Sequence, residues 1–160
     1  MEELVPQSPD TVQCDRDERP ALPVESAAVP RPERRLVRSG RPLRILIAED
    51  DAVTALAYSM TIEDLGAELV GIADNARDTV RAVRDTRPDV VLMDIGLKGE
   101  IDGIDTAHSI RAQFAIPIIF VTGHGDFDTY TRVRDVGSTI PVLKPVSPQD
   151  IVNAIARVCL

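Results

Sequence analysis

The sequence predicts a doubly wound α/β fold, a five-stranded parallel sheet with helices on both faces. Short uninterrupted apolar runs recur from residue 43 onward, stretches of helical spacing separate them, and Gly, Pro or capping residues mark the joins. Strands buried on both faces read as continuous aliphatic runs. Strict alternation of such strands with helices requires parallel pairing and right-handed crossovers.

Taken in order, Arg44–Ala48 (RILIA) is the first strand, and Ala52 to Leu65 is a helix with Leu56, Met60 and Leu65 at helix-like spacing, closed by Gly66. Leu69–Ala73 (LVGIA) is the second strand, followed by a helix over Asn75–Thr86 with Val80 and Val83 inward. Pro88 stops that helix, and Asp89–Met93 (DVVLM) is the third strand. A helix over Asp102–Phe114 precedes the fourth strand, Pro117–Val121 (PIIFV). Asp126–Val136 is a shorter helix ended by Gly137, and Ile140–Leu143 is the fifth strand. Ser147 as N-cap, Pro148 at the first helical position and Asp150 three residues after the cap open a last helix running to Val158.

Residues 1–42 differ in texture. They hold seven of the twelve prolines, show neither period, and mix acids with arginines, five of them between Arg31 and Arg41. Such a segment buries too little apolar surface to offset its ordering entropy, so 1–42 is expected to be a disordered tail and 43–160 the folded domain. Hydrophobic content of 44% supports one core, and with aromatics at 3% that core must be aliphatic. No stretch approaches the length of a membrane span and the opening MEELVPQSPD is no signal peptide, so a cytoplasmic protein without membrane insertion is expected. A net charge of −8 argues against direct nucleic-acid contact. Cys14 and Cys159 have no metal-ligand spacing and read as bystanders.

Polar residues follow four of the apolar strands: Glu49, Asp50 and Asp51 after the first, Asp94 after the third, Thr122 after the fourth and Lys144 after the fifth. In a parallel sheet these ends share one edge, where open α/β folds bind ligands. Carboxylates gathered there repel one another and resist desolvation unless a cation joins them, and Mg²⁺ suits a site of few carboxylates that retains water. Lys144 adds a compact positive charge of the kind used for phosphate, and Thr122 a hydroxyl donor. Together these are the parts for phosphoryl transfer onto an aspartate. In the flavodoxin-like strand order 2-1-3-4-5 the third strand is central, which singles out Asp94 as nucleophile, between the acidic pair and Thr122 with Lys144 beyond.

The segments RILIAEDD, DVVLMDIGLKGEIDGIDTA, IPIIFVTG and VLKP, in this order and spacing, resemble the receiver domain of two-component response regulators over residues 43–160. The resemblance implies that Glu49 and Asp50 hold Mg²⁺, that Asp51 is a non-ligand neighbour, and that Asp94 is the phosphoacceptor. It further implies that the Gly96 backbone carbonyl completes the metal shell, that Thr122 is a switch hydroxyl, that Lys144 binds the phosphoryl group, and that Lys144–Pro145 is cis. The implied donor is a histidine kinase or histidine phosphotransfer protein. The implied output is an unidentified protein bound on the face of the fourth helix, fifth strand and fifth helix.

One departure concerns the fifth strand. The family usually has an aromatic residue three positions before the lysine, and Pro141 stands there. Communication is therefore expected through the Thr122 loop (Gly123, His124, Gly125) and the helix after it. His108 and His124 are expected at a helix surface and in a solvated loop. With nothing following the fifth helix, a stand-alone receiver is expected. Two rivals are a phosphorylation-independent scaffold and a Mg²⁺-dependent aspartyl phosphatase; the latter needs a second acid two residues past its nucleophile, where Gly96 stands.

Overall fold

Three aliphatic runs, β3 (Arg44–Ala48), β5 (Val90–Asp94) and β6 (Ile118–Thr122), form the centre of the sheet because both of their faces must be covered. The computed structural model describes residues 36–123 and 127–159. Two further strands, β4 (Glu68–Ala73) and β7 (Thr139–Leu143), close the edges, and all pairings in the order β4-β3-β5-β6-β7 are parallel. This is the 2-1-3-4-5 order expected from the sequence. Helices α1 (Ala52–Asp64) and α5 (Pro148–Cys159) cover one face; α2 (Ala76–Thr86), α3 (Gly103–Arg111) and α4 (Phe127–Val136) cover the other.

The period of two along each inner strand divides the core. Ile45, Ile47 and Leu92 point to the α1/α5 side with Tyr58, Ile62 and Ile155, whereas Leu46, Val91 and Met93 point to the other side with Val83, Ile104 and Ile110. Local signals start the helices. Asp51 accepts from Thr54 N (2.7 Å), Asn75 from Asp78 N (2.9 Å) and Asp102 from Asp105 N (2.9 Å), each the first carboxylate or amide before a helix. Ser147 and Asp150 form a reciprocal cap at α5: Asp150 N donates to Ser147 Oγ (3.2 Å) and Ser147 N to Asp150 Oδ2 (2.9 Å).

Helix α1 turns a different face inward from the one its Leu and Met residues suggest. Ala55, Tyr58, Ser59 and Ile62 are buried, while Val53, Leu56 and Met60 are 76%, 60% and 58% exposed. The helix is apolar nearly all round, so periodicity alone does not distinguish the face that meets the sheet.

The N-terminal boundary is corrected. Leu36 is buried in the α1/α5 core, its N–H donating to Leu65 O (3.0 Å), and β1 (Val37–Arg38) pairs with β2 (Arg41–Pro42) around Ser39 and Gly40, both at positive φ. Residues 36–42 therefore belong to the folded body rather than to the expected tail; the rest of that tail, with Cys14, lies outside the described residues. Two-residue strands are too short to show a period. Their anchor, Asp89, is 48 positions from Arg41.

Asp89 lies at the amino end of β5, 8% exposed, and accepts a two-pronged bond from Arg41 (Nη1 2.7 Å, Nη2 2.8 Å) and the Arg44 backbone N–H (2.9 Å). Burial opposes its ionisation, but the Arg41 and Arg44 hydrogen bonds and the charges of Arg41 and Arg38 outweigh burial and hold the carboxyl below its ordinary range. A depressed carboxyl contributes stability that is fully present above the unfolded-state value, about 3.9, and is lost as pH falls through the lower folded value. Asp89→Asn is expected to lower the denaturation midpoint at pH 7, with the gap from wild type closing below about pH 4. Equal urea midpoints at pH 7 would show that the clamp contributes nothing.

Candidate functional site

Because every sheet strand runs the same way, the residues that follow them meet at one edge. Glu49, just past β3, is 3% exposed, and its N–H donates to Ala73 O (2.9 Å), which fastens the turn to β4. Asp94 is the last residue of β5 and 9% exposed; Thr122 ends β6 and is buried. Carboxylate oxygens of Glu49, Asp50 and Asp94 lie within 4.8 Å of one another. Lys144, 95 positions from Glu49, places Nζ 3.3 Å from Glu49 Oε2 and 3.2 Å from Asp94 Oδ2. Its backbone N–H donates to Thr122 O (2.8 Å), so the lysine is positioned by β6. The Lys144–Pro145 peptide is cis.

The loop after β5 is held tightly under Asp94. Gly96 N donates to Asp94 Oδ1 (3.2 Å), and Gly103 N to Ile95 O (2.9 Å). A Cβ on Gly103 would collide with the Asp94 carbonyl oxygen, so only glycine lets α3 start this close to the backbone at the end of β5. Gly96 leaves open the space over the acid, since a Cβ there would lie 3.6 Å from Asp94 Oδ2.

Electrostatics at the edge follow from crowding. Burial pushes the Glu49 carboxyl above its ordinary value and the Asp94 charge adds to this, while the Asp51 N–H (3.2 Å) and Lys144 oppose it. Burial alone would lower Lys144, but Asp94 and Glu49 hold its ammonium above the ordinary lysine value. Asp51 is different: hydrogen bonds from Thr54 depress it, and its side chain is committed to capping α1. Three converging hard oxygen donors with one ammonium suit a hard divalent cation such as Mg²⁺ better than a thiophilic metal.

The structure thus brings Glu49, Asp50, Asp94 and Lys144 together, with Thr122 at the end of the neighbouring strand. Pro141 lies on edge strand β7 opposite Phe120, where a missing N–H is tolerated. His108 is exposed on α3, whereas His124 and Gly125 lie outside the described residues. Two contacts escape sequence reasoning. Lys98 in the loop after β5 pairs with Asp50 (3.0 Å), and Arg132 on α4 pairs with Asp102 (2.8 Å) and Asp105 (3.2 Å) at the start of α3. Both look like ordinary surface cations in a sequence; only the α3-to-α4 adjacency and the loop path give them partners.

A family model described as the response regulator receiver domain matches residues 45–156. Among curated proteins, the transcriptional regulatory protein PdtaR of Mycobacterium tuberculosis is 34% identical over 114 residues, 71% of this chain and 55% of the relative. The DNA-binding response regulator MtrA of Mycobacterium leprae is 32% identical over 109 residues, 68% of this chain and 48% of the relative. The chain therefore spans about half the length of these relatives. Among solved structures, the signal receiver domain of a modulated diguanylate cyclase from Desulfovibrio desulfuricans G20 superimposes with a TM-score of 0.68 at 34% identity, covering 74% of this chain and 94% of that one. Among the described residues no helix is long and apolar enough to cross a membrane.

A buried carboxyl whose folded-state pKa is raised binds its proton more readily folded than unfolded, so ionised Glu49 subtracts stability as pH rises above its ordinary value of about 4.3. In chelator at pH 7, Glu49→Gln is expected to raise the thermal midpoint, an advantage that fades as pH falls towards about 4.3. A lower midpoint for Glu49→Gln in chelator would contradict the crowding described here.

Proposed function

Because the chain belongs to the response regulator receiver family of two-component systems, we propose that it accepts a phosphoryl group on Asp94 from a phosphohistidine donor and signals through protein contacts. One observation carries this reading: a buried carboxylate on the central strand shares Lys144 with an acidic partner, while Asp50 stands within metal-ligand distance.

In this reading Glu49, Asp50 and Asp94, with the Gly96 carbonyl, hold Mg²⁺. When bound, the ion supplies Lewis-acid charge to the phosphoryl oxygens. An Asp94 carboxylate oxygen attacks phosphorus, the P–N bond to the donor imidazole breaks, and the imidazole departs carrying a proton as the P–O bond forms. Lys144, already 3.2 Å from Asp94 Oδ2, neutralises the incoming phosphoryl charge, and the Thr122 hydroxyl donates to a phosphoryl oxygen. Hydrolysis of the aspartyl phosphate resets the domain. With Pro141 in place of the usual aromatic, the phosphorylated state is communicated through the Thr122 loop and α4 to an output protein. The setting is the cytoplasm. The partners are a histidine kinase or histidine phosphotransfer protein and that output protein, with no nucleic-acid contact by these residues.

The donor has a surface suited to it. Val53, Leu56 and Met60 make an exposed apolar stripe on α1, the helix that begins one residue past Asp51 at the acceptor edge. A partner helix laid on this stripe brings its phosphohistidine to Asp94.

Asp94→Asn is expected to abolish covalent labelling by acetyl phosphate with Mg²⁺, read by intact mass; undiminished acid-labile phosphate would overturn the assignment. Leu56→Glu with Met60→Glu is expected to slow transfer from the cognate phosphohistidine protein by about tenfold while acetyl phosphate labelling persists. Equal slowing of both donors would place the defect in the site rather than at the docking surface.

A further inference from the structure

Two lysines divide the carboxylates of the site between them. Lys144 serves Glu49 and Asp94, and Lys98 Nζ lies 3.0 Å from Asp50 Oδ2. They differ in how they are held. Lys144 is 31% exposed and tied through its backbone to Thr122; Lys98 is 78% exposed and sits between Leu97 and Gly99, the latter at φ +122°. Among the described residues Asp50 is its only ion-pair partner.

Charge decides what Lys98 does there. The carboxylates of Glu49, Asp50 and Asp94 with Lys144 leave two negative charges, which a divalent ion matches. Docked Lys98 removes one of them and occupies the carboxylate that has no other ion-pair partner among the described residues. An ammonium on one oxygen of Asp50 also stays within a few ångströms of a cation on the other, where like charges repel appreciably near a protein surface. A divalent ion must therefore displace Lys98 or bind against it. The exposed stem lets the lysine leave at small cost, because exposed ion pairs are weak.

We propose that Lys98 competes with the divalent cation for Asp50 and thereby sets the metal affinity of the site. This rests on the Mg²⁺-dependent phosphoacceptor reading above. It makes Lys98 a positioning residue: it acts through Asp50, without contact to the reacting atoms.

The test is calorimetric titration of the full chain with Mg²⁺ at low ionic strength, for wild type, Lys98→Met, Lys98→Arg and Asp50→Asn. Lys98→Met is expected to bind Mg²⁺ about two- to fivefold more tightly than wild type, with the difference shrinking in high salt. Lys98→Arg, which keeps the charge, is expected to stay near wild type, and Asp50→Asn to lose most of the binding. Unchanged or weaker binding by Lys98→Met overturns the inference alone, as does tightening by Lys98→Arg equal to that of Lys98→Met. Absence of Mg²⁺ binding in wild type and all variants overturns the metal-dependent reading and this inference with it.

Discussion

Holding Glu49, Asp50 and Asp94 together at the carboxyl edge of a parallel sheet is the constraint around which the rest of this molecule is arranged. Two of these acids are nearly inaccessible to water, and desolvated like charges raise each other's free energy. Lys144 offsets part of this from the far end of the chain, and it does so only because β7 pairs with β6 and the Lys144 N–H meets Thr122 O. What is left is a residual negative charge at that edge, which in the proposed reading is the starting condition for taking up a cation and an anionic group.

The two ends of β5 show how surroundings separate a structural acid from a reactive one. Asp89, preceding the strand, has its oxygens engaged by the Arg41 fork and the Arg44 N–H, so its ionised form is fully satisfied. Asp94, at the other end, has the Gly96 N–H on one oxygen and a shared lysine on the other. Glycines at positions 96 and 103 keep the space around it open above and tight below. The same residue type on the same strand thus serves as an anchor at one end and, in the proposed reading, as the acceptor at the other.

In the proposed reading, signal transmission requires that something beyond the acceptor edge move or be read. Pro141 removes a mobile side chain from β7, and Arg132 ties α4 to the first turn of α3, whose cap Asp102 closes the loop under Asp94. An ion pair thus joins α4 to the start of α3, alongside the contact of α4 with β7 through Thr139 Oγ1 and Val133 O (2.9 Å). On the opposite side of the sheet, α1 leaves an exposed apolar stripe of Val53, Leu56 and Met60 beside the site.

The sequence by itself determined the β-α alternation and the candidate residues Glu49, Asp50, Asp94, Thr122 and Lys144, while the strand order was adopted from the flavodoxin-like pattern and is seen directly only in the sheet. Those signals are local: aliphatic runs mark inner strands, and a polar residue at the end of each run has one place to go when all strands are parallel. The start of α5 was legible for the same reason, since the Ser147 hydroxyl accepts from the backbone N–H three residues on. Tertiary structure alone decided the inward face of α1, the short hairpin β1–β2, the Arg41–Asp89 clamp and the Lys98–Asp50 pair. An all-round apolar helix has no period to break the tie. A two-residue strand is shorter than any pattern, and a long cation's partner depends on where distant chain segments come to lie rather than on its neighbours in sequence.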